Sequence, residues 1–472
     1  MPFKPLSLLL VLALVPMAHA ENLSAVFQDA QAYDAQYAAA RAAWQAGQEK
    51  AVQGRAGLLP NVNLGGNVQY NKLDSTLPGG DADYTSNGLS LNATQPLFRK
   101  QNWIQYERSR EQVKLAGMQL KVAEQELILR VAQAYFDVLQ SQDNIAFIQA
   151  QKSAITEQLA SARRNFEVGT ATITDTHEAQ ARYDLAVAQE IAEQNSLAIR
   201  LRALEKMIGK PPGALDIFIE RGPLKVDAES IDTWAARAAA DNLQAGIRRI
   251  AKTLADQEVE LNRAGHYPTL DAVAGYTVSN NQNFGAIQMD TRTASIGVQL
   301  NLPIYQGGLV NSRVREAVAN QEKARHDLEA ATRDASLQAR QAWLDVSSGA
   351  ARVQALEQAL ASTRTQLDST RLGLQVGVRT SLDVLNAEQQ VLSASRDLAG
   401  ARYAYLLAGR LVEPAARQPP AIRCRSPGDG HPCGTAPETR LADTWPGRPD
   451  RHPLTIRRRA RRPLTAIPTR SG

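Results

Sequence analysis

A chain of 472 residues can form a large hydrophobic core. Its aromatic content of only 5% is unusual for a large compact globule and more typical of long packed helices. The formal net charge is +5, yet residues 413–472 hold twelve Arg, no Lys and five acidic residues, a net +7 that leaves −2 elsewhere. A charge excess confined to one end indicates a solvated tail, so no nucleic-acid partner is predicted.

The first twenty residues have the pattern of a secretory signal peptide, with an apolar run at 6–15 and an Ala-x-Ala site before Glu21. That run is shorter than the roughly 20 residues of a membrane-spanning helix. No Cys follows the cleavage site, so lipid attachment there is not predicted. The two cysteines, Cys424 and Cys433, lie in the tail, so the exported fold is expected to form without disulfides.

The chain repeats itself at an offset of 208 residues. Fixed-offset similarity indicates duplication, and the unit is far longer than a solenoid repeat. We therefore predict two large modules, 21–210 and 241–412, joined by a connector at 211–240. The matched pairs include Arg163 and Arg371, Val168 and Val376, Gly169 and Gly377, Thr172 and Thr380, and Asp175 and Asp383.

Each module contains two runs in which apolar and polar residues alternate, the pattern of a β-strand. The first module opens with a predicted helix at 23–58, and the second opens in the same way. Each alternating run has about ten residues, the length of a tilted strand in a membrane barrel. The runs are 61–70 and 89–93 around a turn at 77–81, and 270–278 and 294–304 around a polar loop at 280–290.

Pro96 and Pro303 are predicted to end these strands and begin unusually long helices. Apolar residues recur every seven positions, which indicates a coiled-coil seam. A helix of about 65 residues is on the order of 100 Å long. The predicted helices are 97–166, 175–208, 309–374 and 382–412, and the seam residues include Val113, Leu120, Leu127, Ala134, Val131, Val138 and Ile145.

A Val-Gly step separates the two helices of each predicted hairpin. Gly169 and Gly377 suit the left-handed residue that ends a helix. In the first hairpin, Thr172 or Thr174 is predicted to cap the following helix.

The connector and the tail carry weaker signals. The connector is predicted to hold a short strand-like run at 215–219 and a helix around Trp234. The tail, 413–472, contains eleven of the 22 prolines and no periodicity, so it is predicted to be disordered. A shifted reading frame at the end of the gene would give the same composition.

Four membrane-length strands cannot close a barrel, and open sheet edges are not tolerated in lipid, so several chains must share one barrel. Two chains would give eight strands filled by side chains, whereas three would give twelve strands and a lumen. We favour three. The predicted fold class is mainly α with a membrane β-barrel: a duplicated module, a long coiled-coil helical tunnel and four strands per chain, with a twelve-stranded barrel shared by a trimer.

The chain resembles the TolC outer-membrane channel family over roughly residues 21–412. The resemblance rests on the duplication, on two tips that end in Asp175 and Asp383, and on the strand-to-helix sequences at 95–98 and 302–305. It implies a homotrimer in the outer membrane with a periplasmic tunnel. The implied partners are outer-membrane lipid, a periplasmic adaptor (membrane fusion) protein, and an inner-membrane ABC or proton-driven transporter.

The resemblance also implies an acidic constriction near the tunnel tip. Asp383 corresponds to its first acidic residue, and Asn386 corresponds to the second, which is neutral here. A ring of Asp383 carboxylates would attract cations. The alternative role for Asp175 and Asp383 is a helix-start carboxylate that the helix dipole favours, and both roles are compatible.

A latch between neighbouring coils is the second implied site. Arg379, Thr174 and Asp175 correspond to latch partners, whereas a latch aromatic corresponds to Leu374 and is missing. The residues of the two tips that would dock the adaptor are Val168, Gly169, Val376 and Gly377.

The sequence contains no pattern typical of an enzyme. His177, His266 and His326 are far apart in the sequence, and no nucleophile, phosphate-loop or dinucleotide motif is present. We therefore predict a passive channel without catalysis, cofactor or metal, for type I protein secretion or multidrug efflux. The competing hypothesis is a periplasmic coiled-coil scaffold or adaptor that is not inserted in the membrane.

Overall fold

The computed structural model describes residues 21–73, 82–170, 172–216, 230–283 and 287–416. The predicted signal peptide, the turn at 77–81 and residues 417–472 of the predicted tail lie outside these ranges. A short 3-10 helix at Ala264–His266 lies between the sixth α-helix and the third strand. The helices are α1 (Leu23–Tyr33), α2 (Ala35–Ala56), α3 (Lys100–Glu167), α4 (Ile173–Ile208), α5 (Ile231–Asp241), α6 (Leu243–Arg263), α7 (Leu309–Gln375) and α8 (Ser381–Ala416), and the strands are β1 (Asn61–Leu73), β2 (Ala82–Phe98), β3 (Thr269–Asn283) and β4 (Ile287–Asn301).

The predicted helix at 23–58 is interrupted at Asp34, so the expectation of one continuous helix was wrong. Asp34 is extended, and its side chain accepts a hydrogen bond from the Tyr37 amide at 2.8 Å, which caps α2. Arg130 donates to both carboxylate oxygens at 3.0 and 3.2 Å. Burial alone would raise the pKa of Asp34, but the bonds from Arg130 and Tyr37 lower this pKa below its usual value.

The four strands form one antiparallel sheet in the order β1-β2-β3-β4. The register places Leu64 opposite Leu91, Leu91 opposite Tyr276, and Tyr276 opposite Ala294, so the apolar positions of all strands share one face. The opposite face carries mainly Asn, Gln, Ser, Thr and Gly, with Tyr84 and Val273 among the exceptions. The apolar set is Val62, Leu64, Val68 and Tyr70 of β1, Leu89, Leu91 and Ala93 of β2, Ala272, Ala274, Tyr276 and Val278 of β3, and Ala294, Ile296, Val298 and Leu300 of β4.

The strands differ from the predicted runs at their ends. Most of the predicted polar loop at 280–290 is strand, because Asn280 pairs with Asp290 and the ladder continues to Asn283 and Ile287. β2 continues through Pro96, where the register shifts, since a residue without an N–H is tolerated at such an irregularity. β4 ends at Asn301, short of the end of the predicted run at 294–304, so the strand stops before Pro303.

The four long helices and both tip glycines are confirmed. Gly169 and Gly377 have φ angles of 76° and 77°. A residue with a Cβ atom would be strained in this left-handed conformation. Within α3, the predicted seam residues Leu127, Val131 and Val138 are fully buried. No α-helix in the described ranges has both the length and the apolar character needed to cross a membrane.

The main core lies where α1, α3 and α4 meet. Its centre is Tyr135, whose hydroxyl contacts the carbonyl oxygens of Asp216 at 2.6 Å and Glu21 at 3.1 Å. Burial raises the pKa of Tyr135 to about 12. Of the predicted strand-like run at 215–219, the structure describes residues 215 and 216, and Leu215 forms an isolated parallel β-bridge with Glu21. The predicted helix around Trp234 is α5.

An ion pair joins the sheet to the long helices and links the two modules. Arg99, between β2 and α3, donates to both oxygens of Asp271 on β3, at 2.7 and 2.5 Å. The Asp271 side chain is buried, so this bidentate pair fixes the angle at which α3 leaves the sheet.

Candidate functional site

The first tip is a turn between α3 and α4 that is closed by a capping box. Gly169 takes the left-handed conformation, and the Thr172 amide donates to the Asp175 carboxylate at 3.0 Å. The Asp175 amide donates in return to the Thr172 hydroxyl at 3.3 Å. Thr172 is therefore the cap, and Thr174 is exposed in the first turn of α4.

The second tip repeats this arrangement between α7 and α8. The Asp383 carboxylate accepts from the Thr380 amide at 2.9 Å and from the Thr380 hydroxyl at 3.0 Å. These two bonds, together with the charge of Arg379, lower the pKa of Asp383 below 3.8. Asp383 thus combines a helix-capping role with a persistent negative charge.

Arg379 does not form the predicted latch within one chain. Its amide donates to the carbonyl of Gly373 at 3.1 Å, and its side chain lies against that glycine. Among the described hydrogen bonds and ion pairs, none joins Arg379 to Thr174 or Asp175. The resemblance assigns this latch to neighbouring coils, so a link between chains stays a prediction.

Asn386 lies one helical turn beyond Asp383 and contacts the other hairpin. Its side-chain oxygen accepts a hydrogen bond from Nη1 of Arg182 on α4 at 2.9 Å. Nη2 of the same guanidinium donates to Glu178 at 2.9 Å. Our sequence reasoning did not identify Arg182. The spacing of Glu178 and Arg182 indicates a helical pair, but no sequence signal places α4 beside α8.

Apolar side chains are exposed at both tips. Val168 and Val376 are 72% and 66% exposed, and Val378 is 74% exposed. Val168 lies on the tip of the first hairpin, and Val376 and Val378 lie on the tip of the second, so each tip presents apolar side chains to its surroundings.

The histidines identified in the sequence remain separate. His266 contacts Asn311 at 3.2 Å, and His326 lies 3.4 Å from Glu322 and 3.6 Å from Glu329. Within the described ranges, no three His, Cys, Asp or Glu side chains are grouped as metal ligands.

Comparison with known protein families shows to which family this duplicated chain belongs. The family described as Outer membrane efflux protein matches residues 26–210 and 235–410. The chain belongs to this family. The chain is similar to Outer membrane protein TolC of Vibrio cholerae, which is 33% identical over 392 residues, covering 82% of this chain and 89% of that protein. Alkaline protease secretion protein AprF of Pseudomonas aeruginosa is 35% identical over 384 residues, 79% and 80% of the two chains.

Solved structures of outer-membrane proteins share the fold. The CmeC outer membrane channel of Campylobacter jejuni has a TM-score of 0.73 at 17% identity, covering 84% of this chain and 85% of that chain. VceC of Vibrio cholerae has a TM-score of 0.70 at 18% identity, covering 84% and 96%. The predicted fold class, a duplicated helical tunnel with a barrel sheet, is confirmed.

Membership in the outer membrane efflux protein family settles the location and the class of function. The protein is an outer-membrane channel of the kind used in secretion and efflux. The competing hypothesis of a scaffold outside the membrane is not supported. The family is one of channel proteins rather than of enzymes.

Proposed function

We propose that three copies of this chain share one twelve-stranded barrel in the outer membrane. The observation that carries this proposal is a four-stranded sheet with one apolar face, in which β1 and β4 each have one edge unpaired within the described chain. Ile296 on β4 is 90% exposed, and Val68 on β1 is 75% exposed. Lipid would cover this face, and β4 of one copy would pair with β1 of the next.

In this proposal the polar face of the sheet lines the lumen, and the long helices continue the barrel wall into the periplasm. α3 and α7, with 68 and 67 residues, each span on the order of 100 Å. The hairpin tips are then the ends farthest from the membrane, where Val168, Val376 and their neighbouring glycines would dock a periplasmic adaptor.

Energy would come from an inner-membrane ABC or proton-driven transporter, because a passive channel supplies none. The named relatives cover both proposed uses: AprF is an alkaline protease secretion protein, and TtgF of Pseudomonas putida is a toluene efflux pump outer membrane protein, 23% identical over 72% of each chain. Identity to AprF is 35%, which favours protein secretion as the use of this channel.

The gate of the proposed channel lies at the tips. Three copies of Asp383 would form a ring of negative charge that concentrates cations, with Asn386 as a neutral position one turn away. Arg379 of one coil would hold Thr174 and Asp175 of the next until the partner proteins bind.

The proposal is tested with the detergent-extracted full-length protein in a planar bilayer. We expect a heat-sensitive trimer from the outer-membrane fraction, and small conductance steps that multivalent cations block from the side of the tips. A monomer released from broken cells without detergent would contradict the proposal, as would a trimer that forms no conducting pore.

A further inference from the structure

Arg182 joins the two helical hairpins of one chain near their tips. It lies on α4 of the first hairpin, and its guanidinium binds Glu178 on its own helix and Asn386 on α8 of the second hairpin, both at 2.9 Å. Among the described hydrogen bonds and ion pairs between residues 173–190 of α4 and 381–395 of α8, the bond from Arg182 to Asn386 is the one that connects the two helices. The contact with Glu178 orients the guanidinium of Arg182, so its Nη1 group is already directed at the Asn386 side chain.

The packing around this bond is sparse. The two hairpins touch there through a small apolar cluster of Ile155, Ala186 and Leu385. Beside the cluster lies a cavity of about 80 Å³, which is lined in part by Arg182 and Glu388. The charge-assisted hydrogen bond from Arg182 therefore adds a directional link to the apolar contact between the hairpins at this level.

The internal duplication shows that this bond is specific to one seam. Within the first hairpin, Arg163 donates to Gln180 at 2.8 Å. Within the second, Arg371 donates to Glu388 at 2.8 Å, and both residues are offset by 208 from the first pair. The same offset takes Arg182 to Gln390, which has no charge. The bond inside each hairpin is therefore duplicated, whereas the bond between hairpins is not.

We propose that Arg182 is a positioning residue that holds α8 against α4 and thereby keeps the tip constriction narrow. This inference rests on the proposed channel function. Asp383 and Asn386 are one turn apart on α8, so a bond at Asn386 fixes the distance of Asp383 from the first hairpin. When the tips open, α8 moves away from α4 and this bond must break.

The test is single-channel conductance of the Arg182→Ala protein in a planar bilayer. Loss of a partly exposed bond of this kind shifts the closed-to-open ratio by about threefold in each chain, so the variant is expected to conduct more and to open more often. Arg163→Ala is the matched control, since it removes an arginine–amide bond of similar length that stays within one hairpin.

Asn386→Ala removes the acceptor but leaves the Arg182–Glu178 pair. It should raise conductance as much as Arg182→Ala, and the double variant should add nothing further, because both changes remove one bond. Arg182→Lys should be intermediate, since an ammonium cannot reproduce the planar fork.

The outcomes separate this inference from the channel proposal. If the unmodified protein forms no pore, the proposed function fails. If it conducts and Arg182→Ala matches Arg163→Ala, the positioning role fails although the channel stands. Additive effects of Arg182→Ala and Asn386→Ala would also contradict the inference, because they would show that the two side chains act separately. A trimer of unchanged size in detergent and an unchanged helix content confirm that each variant is folded.

Discussion

At the scale of single residues, the tips show how one side chain serves the fold and the proposed function together. Asp383 ends the turn after Gly377 by accepting two hydrogen bonds from Thr380, and these bonds stabilise its negative charge. A carboxylate that caps a helix is favoured by the helix dipole and is already oriented. The capping bonds thus hold the charge of Asp383 at a fixed place on the tip.

The lowered pKa of Asp383 predicts how cation block depends on pH. The carboxylate is charged above its ordinary pKa of 3.8, and the charge is lost only as the pH falls through the lower pKa of the folded protein. Thr380→Val removes the hydroxyl donor, so this pKa should rise and block should be lost at a higher pH. Block by a multivalent cation, measured against pH in a planar bilayer, checks this.

Thr172→Val is the control for that experiment, because the Thr172 hydroxyl caps the helix of the other tip by accepting a hydrogen bond from the Asp175 amide. It should leave the pH midpoint of block unchanged. A midpoint that is the same in Thr380→Val and the unmodified protein would show that Asp383 does not control the block.

At the scale of elements, the helical hairpins depend on tight glycine turns and on long uninterrupted helices. Gly169 and Gly377 adopt left-handed backbone conformations, whereas the long helices continue through glycines such as Gly117 and Gly409. The same residue type therefore has opposite effects at the two kinds of position. In the turn it relieves steric strain, and within a helix it leaves conformational freedom that opposes folding.

Substitution of Gly377 by Ala should destabilise the protein by about 1 kcal/mol, because a Cβ strains the left-handed conformation even though nothing lies within 4 Å of it. Gly409→Ala in α8 also has open space around the new Cβ, and it should stabilise by about 0.5–1 kcal/mol. Thermal unfolding of the two variants in detergent measures the difference. A Gly377→Ala protein at least as stable as the unmodified protein would contradict the account of the turn.

At the scale of the whole molecule, one chain leaves a face and two edges of its sheet uncovered. The apolar face is exposed, and β1 and β4 each have one edge without a partner strand in the described chain. A soluble domain would bury such a face against its own helices. The family match places the chain in the outer membrane, and in our proposal lipid covers this face.

Ile296→Lys should impair insertion, because a lysine on the lipid side of a barrel costs roughly 2–4 kcal/mol near the bilayer midplane. Ser295→Lys is the matched control on the next residue of β4, since alternation places it on the polar face. The fraction of the protein that is recovered as a trimer from the outer membrane, without heating, measures insertion. Equal losses in the two variants would mean that the faces are not lipid and lumen.

The sequence by itself determined the duplication, the four strands, the long helices and the glycine turns. These features depend on local periodicity and backbone sterics, which repeat along the chain and can be read without distant contacts. It also assigned Asp175 and Asp383 an alternative role as helix-start carboxylates that the helix dipole favours, and the structure places each in the first turn of its helix.

Only the tertiary structure decided which elements meet. Asp34, which caps α2 locally, has its carboxylate bound by Arg130, 96 residues away. Arg182 contacts Asn386 because α4 packs near α8, although 204 residues separate the two side chains. Such pairs have no periodic signature, since a polar side chain's partner depends on how the helices are arranged in space.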